Sequence, residues 1–217
     1  MNSQTSKESG YSTRFSHWFP KLDKWDKQII KKIYFKFKNR EHYRNIARGI
    51  SFCGDPRLWA ILLPILGLLG LIFEDFSMLI VFTTGFLQSY FFYYLIKNYF
   101  KRPRPFIELA DSGIFRLDKT GHGYSFPSGH SHHSTILVGL LILWFAPYRM
   151  WVLIFIIIGL VIYNLSIPYS RLISGCHYPS DVVFAIIEAY LALYLHWSIT
   201  SDLYLSLWNL IEGILFP

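Results

Sequence analysis

Long apolar segments alternate with short polar clusters over most of this 217-residue chain. Five segments are apolar enough, and close enough to twenty residues, to predict membrane-crossing helices. They run over residues 58–73, 78–96, 130–145, 150–167 and 182–197. Since residues 74–77 allow only a turn, the first two segments are expected to form an antiparallel hairpin. The pattern predicts an all-α, polytopic transmembrane bundle of about five spans.

The region before the first span shows two patterns. Residues 1–16 are rich in Ser, Thr and charged residues without periodicity, and they are expected to form a mobile tail. Beyond them, apolar residues recur at helical spacing, namely Leu22, Trp25, Ile29, Ile33 and Phe37, widened by Ile30 and Tyr34. Lysines occupy the other positions. This predicts a basic amphipathic helix in the bilayer interface, with a helix packed on a soluble domain as the alternative.

Two further stretches do not fit the pattern of spans. Residues 106–126 contain Asp111, Arg116, Asp118, His122 and three glycines, so they are expected to leave the hydrocarbon or to line a wet cavity. Residues 204–216 are apolar, but they are too short to cross comfortably, and an interfacial or docked helix is expected there. The chain thus divides into a basic N-terminal region, 1–56, and a transmembrane domain, 57–217.

Composition supports the membrane interpretation, with 53% hydrophobic, 19% aromatic and only 16% charged residues. The net charge of +7 is concentrated before the first span, where residues 1–57 hold 13 Lys and Arg against 5 Asp and Glu. Basic sequence leading directly into apolar spans is more typical of contact with anionic lipid than with nucleic acid. Cys53 and Cys176 lack the spacing of a disulfide framework or a metal site. The first twenty residues have no apolar core typical of a cleaved signal peptide.

Three polar clusters interrupt the apolar sequence: KNYFKRPRP at residues 97–105, PSGH at 127–130 and SRLISGCHYPSD at 170–181. Two predicted spans separate the second cluster from the third, so all three are expected at one face of the bilayer. Taken singly, each cluster has a purely structural explanation. The first could be a basic flank of a span, the second a helix start, and the third a helix N-terminus that carries an acidic residue. Together they place three cations, two histidines and one carboxylate in possible reach of a common site, a set that suits a phosphoryl group.

The residue types in these clusters fit that chemistry. Pro103 and Pro105 end the preceding helix, while PSGH reads as a helix start whose free N–H groups attract an anion next to His130. Arg171 offers paired donors matched to a phosphate. His177 and Asp181 are four residues apart and share a face on a helix. A carboxylate accepting one imidazole N–H would leave the other nitrogen free to attack.

The clusters resemble the three-part signature of the type 2 phosphatidic acid phosphatase (PAP2) superfamily. The matching residues are Lys97-x6-Arg104-Pro105, then Pro127-Ser128-Gly129-His130, then Ser170-Arg171-x5-His177-x3-Asp181. The resemblance implies an all-α membrane enzyme that removes phosphate from lipid phosphates or diphosphates without a metal or other cofactor. It implies His177 as a nucleophile that forms phosphohistidine, Asp181 as its orienting group and His130 as the general acid. Phosphate oxygens would be held by Lys97, Arg104, Ser128, the Gly129 N–H and Arg171.

Several points stay open at this stage. The motifs fit phosphatidic acid, phosphatidylglycerophosphate, polyprenyl diphosphate or a lipid A phosphate equally well, and residues 91–94 (Phe91, Phe92, Tyr93, Tyr94) are expected to help select the lipid tail. His122, His132 and His133 suggest a metal site, but without ligand-spaced carboxylates or cysteines they are expected to make polar contacts to substrate or water. The oligomeric state is undetermined.

The alternatives to a hydrolase are a phosphotransferase using the same phosphohistidine, a vanadium haloperoxidase, and a non-catalytic lipid-phosphate binder. The expected location is the cell membrane, with the N-terminus and the clusters on the same side. The positive-inside rule favours the cytoplasm for that side, although the resemblance favours the opposite face.

Overall fold

The computed structural model describes residues 13–117, 123–148 and 151–215, and the regular elements within these ranges are all helical. The α-helices are α1 (Arg14–Trp18), α2 (Pro20–Phe37), α3 (Glu41–Cys53), α4 (Trp59–Phe73), α5 (Ser77–Phe100), α6 (Pro105–Glu108), α7 (Gly129–Phe145), α8 (Trp151–Ile173), α9 (Pro179–Leu195) and α10 (Ser201–Leu215). The predicted tail lies mostly outside the described residues, as do Asp118 and His122.

Four helical stretches in the described ranges are long and apolar enough to cross a membrane. They are Pro56–Phe73, Ser77–Ser112, Ile154–Ile173 and Pro179–Ile214. Helix α7 has 17 residues, which is at the lower end of the length needed to cross a hydrocarbon core. The predicted all-α, multi-pass membrane architecture is confirmed.

Local sequence explains how the hairpin of α4 and α5 begins and ends. Glu74 ends α4 in the left-handed conformation, with φ of 54°, and the Asp75 carboxylate accepts the Ser77 backbone N–H at 2.8 Å where α5 begins. Helix α5 continues to Phe100, so Lys97 lies within its last turn. Lys101, also left-handed at φ of 48°, ends it ahead of the two prolines.

Helix α7 is the most buried of the spanning helices and packs against α5, α8 and α9. Its contact with α8 is polar, because Ser134 and Thr135 each donate a hydrogen bond of 3.1 Å to Asn164 Oδ1. Its contact with α9 combines apolar packing, through residues such as Leu140 and Leu193, with a polar contact between His132 and Glu188. These interhelical contacts fix the start of α7 relative to the starts and ends of its neighbours.

Helix α2 docks on the bundle with a face that the hydrophobic pattern predicted only in its C-terminal half. The buried residues of α2 are Asp23, Asp26, Ile30, Tyr34 and Phe37. Leu22 and Trp25 from the predicted apolar stripe remain 38% and 49% exposed. Helix α2 contacts α8 and α9, and α3 packs along α8. Two aspartates thus face the protein, and the exposed apolar residues are available to the bilayer interface.

The C-terminal run does not form a separate helix. Residues His196–Thr200 make a π-helical turn that joins α9 directly to α10. His196 Nε2 lies 3.0 Å from the Val81 carbonyl oxygen, and the Trp208 ring lies 5.7 Å from that of Phe76. The expected docked helix is therefore the continuation of the last span, packed against α5.

Candidate active site

Backbone hydrogen bonds join the three polar clusters into one site. The Ser125 N–H donates to the Arg102 carbonyl at 2.7 Å and its hydroxyl donates to the Pro103 carbonyl at 2.9 Å, which links the first cluster to the segment before PSGH. The Ser128 N–H donates to the Asp181 carbonyl at 3.0 Å, which links the second cluster to the third. Three segments that are separate in sequence therefore share one end of the helix bundle.

His177 lies at the centre of this region and is 1% exposed. Its Nε2 atom is 3.0 Å from Arg104 Nη1, and its Nδ1 atom is 2.8 Å from the Ser125 carbonyl oxygen. Because a carbonyl oxygen only accepts, Nδ1 carries the proton and Nε2 carries the lone pair. Burial, followed by the charge of Arg104, holds the pKa of His177 well below its usual range. The imidazole is therefore neutral near pH 7.

Asp181 is close to His177 but makes its shorter contacts elsewhere. Its Oδ2 atom is 3.5 Å from His177 Nδ1 and accepts the Tyr178 N–H at 2.8 Å. Its Oδ1 atom accepts from Arg102 at 2.8 Å. The predicted direct hydrogen bond to the imidazole is thus replaced by one to the Ser125 carbonyl, and Asp181 stays within ion-pair distance of the ring. A backbone carbonyl has no sequence signature, so Ser125 was missed.

One of the predicted cations, Arg104, contacts His177 Nε2, and the other two act on the imidazole through their charge. Arg104 is 4% exposed and also donates to the Cys176 carbonyl at 3.2 Å and, through Nε, to the Gly123 carbonyl at 3.0 Å. Arg171 is fully buried at the end of α8 and donates to the hydroxyl of Ser51 on α3. Both arginines and Lys97 act electrostatically on His177. Buried cations at these positions can neutralise an anion in front of the imidazole.

Lys97 and Gly129 lie next to each other at the start of α7. The Lys97 ammonium donates to the Pro127 carbonyl at 2.9 Å and lies 4.9 Å from the centre of the Tyr93 ring. A β-carbon on Gly129 would lie only 2.7 Å from the Tyr93 hydroxyl. The glycine is therefore needed for the close approach of α5 to this helix start, where backbone N–H groups have no acceptor within the helix.

Ser128 and His130 flank that glycine. Ser128 is fully buried, and its hydroxyl accepts from the Ser131 hydroxyl at 3.0 Å. His130 is 8% exposed, and its charge influences both His177 and Asp55. The structure thus places every residue proposed from the sequence in one region: Lys97, Arg104, Ser128, Gly129, His130, Arg171, His177 and Asp181.

The other histidines of α7 make polar and ring contacts within the bundle. His132 Nδ1 is 2.5 Å from Glu188 Oε2 on α9, and the His133 ring stacks on Tyr90 at 5.9 Å. In the part of the chain that the structure describes, no three His, Cys, Asp or Glu side chains are grouped to hold a metal ion.

The aromatic residues expected to select the tail divide between the surface and the interior. Phe91 and Tyr94 are 58% and 53% exposed and face outward, whereas Tyr93 is buried beside His132. Only Tyr93 of the residues expected to contact the lipid tail is therefore placed beside the site.

Comparisons with known proteins identify the family and the fold. The profile of the PAP2 superfamily matches residues 77–204. The structure is similar to the crystal structure of Aquifex aeolicus LpxE, with a TM-score of 0.58, 18% identity, and coverage of 78% of this chain and 92% of that one. It is also similar to a transmembrane PAP2-type phosphatidylglycerolphosphate phosphatase from Bacillus subtilis, with a TM-score of 0.60 and 19% identity.

That second match covers 84% of this chain and 87% of the Bacillus chain. No curated protein matches this chain. The structural likeness, at this level of identity, establishes the shared fold. The family match spans more than half of the chain and includes all three clusters. The chain is a multi-pass membrane protein that belongs to the PAP2 superfamily.

Proposed function

We propose that this protein hydrolyses a phosphomonoester or diphosphate of a membrane lipid through a phosphohistidine formed on His177. The observation that carries the proposal is the orientation of the imidazole. The Nδ1–H group donates a hydrogen bond to the Ser125 carbonyl at 2.8 Å, and the Nε2 lone pair faces the Arg104 guanidinium at 3.0 Å. A phosphoryl group bound by that guanidinium would lie directly in front of the nucleophilic atom.

In the first step, His177 Nε2 attacks phosphorus and the bond to the lipid oxygen breaks. Arg104, Arg171 and Lys97 neutralise the phosphoryl oxygens, and the N–H groups at the start of α7 add further donors. His130 donates a proton to the leaving alcohol or phosphate. The Ser125 carbonyl stabilises the positive charge that develops on the ring, because it accepts the remaining N–H.

In the second step, water attacks the phosphohistidine and releases inorganic phosphate. His130, left neutral by the first step, accepts the proton of the attacking water, so both histidines return to their starting states. The three fixed cations provide the charge neutralisation that Mg²⁺ supplies in many phosphoryl-transfer enzymes. The mechanism therefore requires neither a metal nor another cofactor.

We infer the substrate class from where the site lies. It is formed at the ends of apolar spanning helices, so a phosphate carried by a bilayer lipid can reach it while the lipid tail stays in hydrocarbon. The two similar structures include a phosphatidylglycerolphosphate phosphatase, which makes glycerophospholipid phosphates suitable first substrates to test. The partners proposed are thus a lipid phosphate and the bilayer itself.

The basic N-terminal arm supports the proposed orientation in the cell membrane. Helix α2 is bonded to the start of α9 through Asp26 and Ser180, so the arm and the site occupy the same side. The arm carries most of the excess positive charge of the chain. Because such charge is retained on the cytoplasmic side, we place the site there.

A phosphate-release assay in detergent with EDTA tests the proposal. Wild-type protein is expected to release phosphate from at least one lipid of a panel containing phosphatidic acid, phosphatidylglycerophosphate and polyprenyl diphosphate, and His177→Ala is expected to be inactive. Equal activity in the two proteins would contradict the mechanism. Phosphate transfer that depends on an added lipid or sugar acceptor would identify a phosphotransferase, and phosphate-lipid binding without turnover would identify a binding protein.

A further inference from the structure

Arg102 is fully buried and connects the N-terminal helix α2 to the third cluster. Its Nη1 atom donates to Asp181 Oδ1 at 2.8 Å and to the Ser180 hydroxyl at 2.9 Å. Its Nη2 atom donates to Asp23 Oδ1 and to Asp26 Oδ2, each at 2.8 Å. One guanidinium therefore holds the carboxylate next to His177 and two carboxylates that lie outside the residues matched by the family.

Further contacts fix the geometry of this group. The Arg102 guanidinium lies between two aromatic rings, 3.8 Å from the centre of Phe15 and 3.9 Å from that of Tyr178. Asp26 is fully buried and accepts the Ser180 N–H at 3.0 Å at the start of α9. Burial raises the pKa of Asp26 in spite of the nearby Arg102. The N-terminal arm is thus joined to the site by specific bonds as well as by apolar packing.

We propose that Arg102 and Asp26 are positioning residues for His177, so that the N-terminal arm forms part of the active site in addition to contacting the membrane. This inference rests on the proposed function. Asp181 Oδ2 is 3.5 Å from His177 Nδ1 while Arg102 holds the other oxygen. Arg102 therefore sets the orientation of Asp181. Because Asp23 and Asp26 share the same guanidinium, they set how much of the positive charge of Arg102 acts on Asp181.

The charges of the group give the inference a distinctive signature. Arg102 carries one positive charge, and Asp23, Asp26 and Asp181 carry three negative charges. Asp26→Asn removes one negative charge, which makes protonation of His177 less favourable. Arg102→Gln removes the positive charge and has the opposite effect. The double variant restores the original net charge, so the two changes are expected to cancel.

The other charged groups that act on His177 are unchanged by these substitutions. They are Arg104, Arg171, Lys97 and His130. Lys27 of α2 acts more remotely, through ion pairs of 2.7 Å with Asp23 and 2.6 Å with Glu108. A difference in pH dependence between the variants would therefore arise from the charges of Arg102 and its aspartate partners.

The test measures kcat and KM for phosphate release against pH, with one lipid substrate, in wild type, Asp26→Asn, Arg102→Gln and the double variant. The acid limb of kcat/KM reports protonation of the free enzyme, and substrate ionisation is common to all four proteins. We expect the apparent pKa of this acid limb to be lower than in wild type for Asp26→Asn and higher for Arg102→Gln. The expected shift is about 0.5 to 1 pH unit, the size produced by one partly screened charge. The double variant should show the wild-type apparent pKa.

We also expect kcat to fall more than KM rises, because the phosphate contacts of Arg104 and Arg171 are retained. Glu41→Gln removes an exposed carboxylate from α3 and serves as the control, with an unchanged profile. If Arg102→Gln does not fold, Arg102→Lys replaces it and should keep the wild-type limb while Asp26→Asn still shifts.

The same apparent pKa of kcat/KM in wild type and in all variants would overturn the inference. So would a loss of activity that only follows a loss of thermal stability. Inactivity of the wild-type protein on every lipid phosphate would instead contradict the proposed function, so the two failures can be told apart.

Discussion

Replacement of Arg104 by glutamine removes the cation that contacts the reactive nitrogen of His177. The guanidinium is 4% exposed, and its Nη1 atom lies 3.0 Å from His177 Nε2. In a buried site with few competing waters, loss of one donor that stabilises a developing oxyanion costs about 2.7 to 4 kcal/mol. We therefore expect kcat/KM for lipid-phosphate hydrolysis to fall about 10²- to 10³-fold.

Replacement of Arg104 by lysine should have a smaller effect, of about 10- to 100-fold, because the charge remains but one ammonium cannot reproduce the paired donors. These donors also bind the carbonyls of Cys176 and Gly123 in the wild type. Arg116→Gln, an equal change of charge at an exposed position of the same loop region, should alter kcat/KM by less than about twofold.

The assay is release of inorganic phosphate from lipid in mixed micelles, with thermal denaturation measured in parallel. The lysine variant is important because it separates loss of charge from loss of geometry. The reasoning is refuted if Arg104→Gln stays within about threefold of wild type while remaining folded, because the guanidinium would then have no contact with the reacting phosphoryl group.

Two other predictions follow from close contacts and burial in the site. Gly129→Ala should greatly reduce activity, because its β-carbon would lie 2.7 Å from the Tyr93 hydroxyl, and adding Tyr93→Phe should restore part of it; no recovery in the double variant would argue against this contact. Native His177 has a lowered pKa, so below about pH 6.5 the unfolded chain binds a proton that the native protein does not. Acidification from pH 7.5 to 5.5 should therefore lower the melting temperature more in wild type than in His177→Gln, and equal decreases would contradict this.

The sequence was sufficient to predict that the three polar clusters meet, because membrane crossings strongly limit where polar clusters can lie. Each span exchanges one side of the bilayer for the other, so the number of spans between Lys97, His130 and His177 places all three on one side. The structure places these residues together, and Arg104 and Arg171 with them. No knowledge of helix packing was needed for that step.

The N-terminal half of the face that α2 presents to the bundle could not be predicted from its hydrophobic pattern. Asp23 and Asp26 look like ordinary members of a polar face, and Leu22 and Trp25 look like its buried stripe. The structure reverses these four positions because a buried cation, Arg102, lies opposite the aspartates. Farther along α2 the stripe residues Ile30, Tyr34 and Phe37 are buried, as the pattern indicates. A buried ion pair depends on a partner some eighty residues away, which a local periodicity does not contain.

The hydrogen bond that fixes the His177 tautomer was also beyond prediction. Its acceptor is the Ser125 backbone carbonyl, and every residue type carries such a group. Asp181 was the expected acceptor because a carboxylate four residues away is a recognisable pattern. The tight linkage of Ser125 to Arg102 and Pro103 brings the carbonyl closer to the ring instead.

The central claim is that His177 becomes phosphorylated during turnover. Rapid quenching with alkali during hydrolysis of a lipid phosphate, followed by mass spectrometry of peptides, measures this directly, since phosphohistidine survives alkali. The account predicts phosphate on His177 in wild type, retained phosphorylation in His130→Ala, where the general acid alone is lost, and none in His177→Ala. Steady turnover with no phosphorylated His177, or with phosphate on another residue, would contradict it.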